Sequence, residues 1–525
     1  MSYARYLKWL LLIVLIGAAA RAFHFDWTIG DDDQRWIIAA RGFGKPHNAG
    51  LADIYYARIV WRALLAAWGG VFGLSLKTTA VLMFMLSALT TYFIAECGRR
   101  AFGTGAGLFA AAVYAGYPLN IHFDVMTLPD GLAVCLLSAA LLAFVRSTGD
   151  SGGTGRLALA GFLLGLSFSA KEYFPLAFVA FGLAILATRE PARWRRIAIL
   201  AGVGMLGLAA DPIMHAVESG DPLAHFSGVT QYQPPPPQDY SEIRRMAGML
   251  ATRTDYVRWL LLDYGGIGGW MVLLGLFWLF ARWRTSIYAR LLAAGAVVLL
   301  LFLTFAPARL TPPTLVHAQA RYLTGILPFV AIGAGAALSQ LLDACRSREL
   351  RVAVAALVAV TFLGNLVAAN DLPEAYGRRE MAGLARAIEQ TRADGLNRLV
   401  LPFGFDRNAI PDDILHGDVA LDIRPPGESV ESLLRSDAAR SAVYVSLRRL
   451  GLSPSRGLPN LAVLGGDREG EFGRLVRSLT DAGRPMQTIT APDTSVRAWA
   501  DWLGIQAGGQ VTGWLFLPNR APASP

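Results

Sequence analysis

The chain has 525 residues, of which 54% are hydrophobic and 17% charged, where ordinary soluble domains carry about 25% charged residues. Its mean hydropathy is +0.41 and its net charge +9. The missing charge is concentrated in long stretches, which excludes a soluble enzyme, a disordered chain and a single-span receptor and indicates a polytopic membrane protein with a soluble part attached.

A bilayer-crossing helix needs about 20 mostly apolar residues. Such runs fall near 7–23, 76–95, 105–121, 129–146, 157–171, 174–188, 196–213, 266–281, 290–306, 323–342 and 351–369, about eleven in all. The run Leu7–Ala20 is charged only at Lys8, and Leu132–Val145 and Val297–Pro307 carry no charge. Met1–Phe23 has the outline of a signal peptide. No small-residue cleavage site precedes a soluble domain and more spans follow, so it reads as a retained first helix.

The loops between the runs alternate. Arg5 with Lys8, Arg99 with Arg100, Arg146 with Arg156, Arg189–Arg196, Arg282 with Arg284, and Arg346–Arg351 mark short basic loops that face the cytoplasm. His24–Ser75, His122–Leu128, His215–Gly265 and Ala308–Ala320 are richer in Asp, His, Pro and aromatic residues and face outward. Within the first outer loop, Asp33–Phe43 and Ile54–Trp68 place apolar residues at helical spacing, with Arg35, Arg41, Arg58 and Arg62 on the polar faces. This predicts amphipathic helices in the membrane interface. The third outer loop holds the run Pro234–Pro237, which predicts a stiff exposed segment before an amphipathic stretch, Tyr240–Leu262.

Charge returns from about Asn370. Leu399–Phe403, Ala442–Leu447, Leu461–Leu464 and Trp514–Leu517 read as buried strands, and Met381–Arg392, Glu428–Leu434, Glu471–Asp481 and Val496–Leu503 as helices. The division predicted is a membrane domain, 1–369, with outer loops 24–75 and 215–265, and an outward α/β domain, 370–525. Cys97, Cys135 and Cys345 form no spaced pairs, which argues against a disulfide framework or a thiolate metal site. No dinucleotide fingerprint, phosphate loop or catalytic triad signature occurs in the C-terminal part. The positive charge is accounted for by cytoplasmic arginines, and no nucleic-acid partner is expected.

Ionisable residues at the outward ends of spans are the functional candidates. Asp31, Asp32 and Asp33 follow the first span. One aspartate suffices to cap a helix, and the surplus suits a general base or a cation site. His122, Asp124 and Asp130 surround the second outer loop, where a second acid, a divalent metal site or, for Asp130, helix capping all fit. Lys171 is one of four lysines in a chain that writes its other cations as arginine, and it ends a span. A compact ammonium there suits a phosphate, and Glu172 beside it offers a simple partner. Arg321 and Tyr322 precede another span, and an arginine fork binds phosphate bidentately.

Four segments carry a resemblance: DDDQRWIIAARGF, YPLNIHFDVMTLPDGLAVCLLSAALLAFVR, GFLLGLSFSAKEYFPLAF and QARYLTGILPFVAIGAGAAL. In this order and spacing the chain resembles the GT-C superfamily of polytopic glycosyltransferases, in its protein-O-mannosyltransferase-like and lipid A aminoarabinose-transferase-like branch, over roughly Met1–Ala369. The resemblance implies inverting transfer of a sugar from a polyprenyl-phosphate donor to a glycan, lipid or protein acceptor on the outer face of a bacterial inner membrane. It matches Asp32 to the catalytic base, with Asp33 where the family has Glu and Trp36 where it has Tyr. It also matches Asp130, or Asp124, to an acid on the fourth helix, and Lys171, Arg321 and Tyr322 to groups that bind the donor phosphate. A lipid or sugar transporter is the competing reading. Against it stand the absence of inverted repeats and the gathering of polar residues at one face.

Overall fold

A computed structural model describes residues 1–24, 32–45, 54–148, 153–188, 190–232, 255–263, 265, 268–305, 307–310, 313–315, 320–368, 375–401, 418–423, 441–446, 479–481, 484–491 and 510–518. The chain divides into two compact units. The first comprises Met1–His24 and Trp36–Asn370, the second Phe25–Arg35 and Asp371–Pro525.

The first unit is helical. Its elements are α1 (Tyr3–His24), α2 (Asp32–Arg41, whose first turn belongs to the second unit), α3 (Ile54–Ala57), α4 (Ile59–Phe72), α5 (Leu76–Phe102), α6 (Thr104–Ala115), α7 (Pro118–Phe123), α8 (Pro129–Ser147), α9 (Gly153–Ser167), α10 (Ala177–Leu186), α11 (Arg193–Ser219) and α12 (Ala224–Tyr232). These are followed by α13 (Gly269–Ala281), α14 (Ile287–Phe305), α15 (Leu327–Ala344) and α16 (Arg348–Ala368). By length and composition α1, α5, α8, α11, α14 and α15 suffice to cross a membrane. Among the described residues the expected count of about eleven is not reached by that measure, and the apolar helices α4, α6, α10 and α13 are shorter than a span requires. The outward-facing side chains of the unit include Leu11, Leu15, Met205, Leu206, Phe277 and Leu363, all large, apolar and exposed. A water-soluble protein of this size would bury them, whereas hydrocarbon accepts them.

Local sequence explains the element ends. Ser75 and Thr78 form a reciprocal capping box at the start of α5. Pro129 opens α8, where its missing N–H costs nothing, and Asp130 lies in the same first turn, where the helix dipole favours a carboxylate. Helices α9 and α11 touch through glycine. A Cβ on Gly161 would lie 2.3 Å from the Leu200 carbonyl oxygen, and one on Gly165 2.0 Å from that of Gly204. Small residues let two helices approach this closely in lipid, where no hydrophobic force drives them together.

The sequence places Arg58 and Arg62 on a polar, water-facing side. The structure instead buries both, at 5% and 0% exposure. Arg62 forms a forked pair with Glu218 at 2.7 and 2.8 Å, and Arg58 pairs with Glu172. Carboxylates from distant segments neutralise these two cations, so Arg58 and Arg62 turn inward, whereas Arg41 stays exposed. The segments Pro234–Pro237 and 240–254 lie outside the described residues.

In the second unit a five-stranded mixed sheet has the order β4-β3-β5-β7-β6, with β3 (Arg398–Leu401), β4 (Ala420–Ile423), β5 (Ala442–Ser446), β6 (Met486–Ala491) and β7 (Gln510–Phe516). Strand β3 runs parallel to β4 and β5, and β7 antiparallel to β5 and β6. Helix α17 (Ala375–Ala393) lays Leu384, Ala387 and Ile388 on a core of Leu399, Leu401, Val419, Ala442, Tyr444, Ile489 and Leu515. The expected strands at 399–403, 442–447 and 514–517 and the helix at 381–392 are thus present with shifted ends. Strands β4 and β6 are additions. The expected strand at 461–464 and helices at 428–434 and 496–503 lie outside the described residues, as does most of 471–481. A separate antiparallel hairpin in the first unit joins β1 (Pro307–Leu310) to β2 (Pro313–Leu315).

Candidate functional site

The chain between α9 and α10 turns sharply at Phe168–Tyr173. The Lys171 N–H donates to the Ser167 carbonyl at 2.8 Å, so the ammonium is carried on a fixed turn. Its Nζ lies 3.3 Å from Asp130 Oδ1 and 3.4 Å from Oδ2, with both side chains at most 6% exposed. Asp130 Oδ1 accepts no hydrogen bond, so the contact there is Coulombic and the oxygen keeps acceptor capacity. Nζ also stands 4.5 Å from the centre of the Tyr322 ring. Tyr322 is held in turn by Tyr173, whose hydroxyl donates to the Tyr322 carbonyl at 3.3 Å. Lys171, Asp130 and Tyr322 are therefore brought together from three elements.

Arg321 adjoins Tyr322, its guanidinium carbon 6.0 Å from the Tyr322 ring centre. Arg321 and Arg58 are both near enough for their charges to act on the Lys171 ammonium. Three cations thus gather beside two carboxylates, Asp130 pairing with Lys171 and Glu172 with Arg58, which leaves one positive charge in excess. An excess positive charge in a low-dielectric site is costly alone and suits an anion.

Glu172, expected beside Lys171 as its partner, pairs with Arg58 instead. Adjacent residues in a turn point different ways, and Asp130 takes the lysine. Arg58 also donates to His225 Nε2 at 3.1 Å. Sequence reasoning did not select Arg58, His225 or Asp211 as site residues. The signal available was the spacing Asp211-x-x-x-His215 at the end of an apolar run, which puts a carboxylate and an imidazole on one helix face.

Asp124 is engaged elsewhere. It accepts a fork from Arg21 at 2.6 and 3.1 Å and a hydrogen bond from Ser87 at 2.7 Å. Arg21 also donates to the Gly17 and Ala115 carbonyls, so the pair ties α1 to α5, α6 and the loop after α7. His122 is fully buried on α7, with its ring edge against Phe123. Among the described residues His122, Asp124 and Asp130 do not form a three-ligand cluster.

Asp32 and Asp33 open α2, where two carboxylates in the first turn face the positive end of the helix dipole. Asp32 lies 3.8 Å from Arg35, one turn along, and Asp33 is buried at 1% exposure. Both belong to the second unit, whereas Lys171, Asp130, Arg321 and Tyr322 belong to the first. Asp31 lies outside the described residues.

The profile of the dolichyl-phosphate-mannose-protein mannosyltransferase family matches residues 59–214. That stretch contains Asp130 and Lys171. Among solved structures, ArnT from Cupriavidus metallidurans bound to undecaprenyl phosphate is similar at 15% identity and a TM-score of 0.52, covering 86% of this chain and 96% of that one. The same protein in its apo state gives 14% identity and a TM-score of 0.51 over 98% of each chain. The oligosaccharyltransferase of Archaeoglobus fulgidus in its apo form gives 12% identity and a TM-score of 0.52, covering 86% of this chain and 70% of that one. No curated protein sequence matches significantly. The chain shares its fold with ArnT and with the Archaeoglobus fulgidus oligosaccharyltransferase.

Proposed function

We propose that the chain is an inverting glycosyltransferase that moves a sugar from a polyprenyl-phosphate donor to a glycan, lipid or protein acceptor at the outer face of a bacterial inner membrane, with its C-terminal unit periplasmic. The observation that carries this reading is the buried Lys171–Asp130 pair with Arg58 and Arg321 acting on the same ammonium. Cations in excess of the carboxylates beside them suit a phosphate headgroup at the end of an apolar tail. The ArnT structure that shares the fold holds undecaprenyl phosphate, a ligand of that chemistry.

In this reading Asp32, with Asp31 and Asp33 beside it, takes the proton of the acceptor hydroxyl as that oxygen attacks the anomeric carbon. The bond from that carbon to the phosphate oxygen breaks on the opposite face, and the electron pair leaves with the lipid phosphate. Lys171, Arg321 and Arg58 stabilise the charge that builds on the leaving group, and the Tyr322 hydroxyl offers it a hydrogen bond. Phosphate is a competent leaving group, so no second acid is required, and Asp130 serves to hold Lys171. The test is incubation of purified protein with radiolabelled polyprenyl-phosphate sugars and membrane extracts. A labelled acceptor product supports the reading. A labelled lipid moved across a vesicle bilayer with no product formed supports transport instead.

A further inference from the structure

Near the C-terminal end of α11, Asp211 and His215 stand one turn apart, and His225 comes in from α12. We propose that Asp211, His215 and His225 form a binding site for a divalent transition-metal ion of the zinc type. One ligand atom from each of the three lies within 4.8 Å of the other two. Asp211 Oδ1 is 3.1 Å from His225 Nδ1 and 4.0 Å from His215 Nε2. Donors about 2.0–2.2 Å from a tetrahedral ion stand roughly 3.3 Å apart, so small side-chain movements close the set around one ion.

A second observation points the same way. All three side chains are at most 2% exposed, and Asp211 Oδ2 is buried with no hydrogen-bond partner. A buried carboxylate oxygen without a donor is costly, and a bound cation removes that cost. Two imidazoles and one carboxylate select zinc and its neighbours over magnesium or calcium, which prefer all-oxygen sites. A three-residue set also leaves a coordination position for water.

The surroundings define what binding does. A guanidinium donates only, so His225 Nε2 accepts from Arg58 and Nδ1 carries the proton given to Asp211. His215 Nε2 is 3.2 Å from the Ala57 carbonyl, to which it donates. For both imidazoles to ligate as neutral rings, the proton on each ligating nitrogen must move to the other nitrogen of its ring. A proton moved onto His225 Nε2 faces Arg58, so ion binding releases Arg58 from His225 and leaves Glu172 as its partner. The ion would thereby set the position of one of the three cations acting around Lys171. The site itself does not depend on the transferase reading.

The test uses the full-length protein, stripped with chelator, equilibrated with zinc chloride alone and desalted, with bound zinc counted by mass spectrometry. The expected result is about one zinc per chain in the wild type and at least about tenfold weaker zinc retention in Asp211→Asn and in His225→Gln, both checked for an unchanged helical spectrum and a single elution peak. Wild-type protein that retains no more zinc than these folded variants overturns the proposal. Should the variants unfold, cobalt(II) added to wild-type protein decides: intense visible bands of a tetrahedral nitrogen–oxygen site are expected. A spectrum no different from aqueous cobalt overturns it. Neither readout involves sugar transfer, so failure here leaves the proposed activity standing.

Discussion

Lys171 Nζ lies 3.3 Å from Asp130 Oδ1, joining the turn after α9 to the first turn of α8 across 41 residues of chain. Both groups are buried, so each is tolerable only with the other in place.

Breaking this pair from one side is therefore expected to be severe. Lys171→Met leaves a buried, uncompensated carboxylate and is expected to destabilise by about 3–5 kcal/mol. The double variant Lys171→Met with Asp130→Leu is expected to recover much of that stability but none of the donor affinity. Thermal unfolding and binding of a polyprenyl phosphate, measured on both variants, separate the two effects.

Asp124 makes the opposite prediction. Its partners are Arg21 and Ser87, which tie helices together rather than line the cation cluster. Asp124→Leu is expected to lower the unfolding temperature sharply, while protein that does fold retains its affinity for polyprenyl phosphate. Strong loss of affinity in well-folded Asp124→Leu would move this residue into the site.

The contact between α9 and α11 is tested by Gly165→Leu. A Cβ at Gly165 already falls 2.0 Å from a backbone oxygen, so the helices must separate. Overpacking of this kind costs typically 1–3 kcal/mol. The substitution is expected to lower the unfolding temperature, whereas the same change at Gly202, where a Cβ meets nothing, is expected to be nearly neutral.

Reporter fusions test the topology. The arginine-rich loop at Ala192 is expected to read cytoplasmic, and Gly395, after α17, to read periplasmic. A cytoplasmic reading at Gly395 would place the second unit, and Asp32 with it, on the wrong side for a lipid-linked donor presented outside.

Much of this organisation is legible in the sequence, because crossing a bilayer leaves a one-dimensional record. Runs without charge mark the helices, and Pro129 before Asp130 marks where α8 begins. Lys171 stood out as one of four lysines. What the sequence does not carry is pairing over distance. Arg58 looks like the polar face of a surface helix, and it becomes a buried site residue because Glu172 and His225, 167 residues downstream in the latter case, reach it in three dimensions. Asp124 looked like a metal or acid candidate because Arg21, 103 residues away, is invisible at sequence level as its partner. Strand β4 was missed because it is four residues long, interrupted by Asp422 and never fully buried; it is held by parallel pairing with β3 and by the ion pair of Asp422 with Arg398 at 2.7 Å.

The central claim is that this chain transfers a sugar from a lipid phosphate using an aspartate after its first span as base. The most direct measurement is single-turnover transfer from a radiolabelled polyprenyl-phosphate sugar by purified wild-type and Asp32→Asn protein, with donor binding recorded for both. The account predicts transfer by the wild type, a loss of about 10²–10⁴-fold in Asp32→Asn, and unchanged donor binding. Equal rates in the two proteins would contradict it.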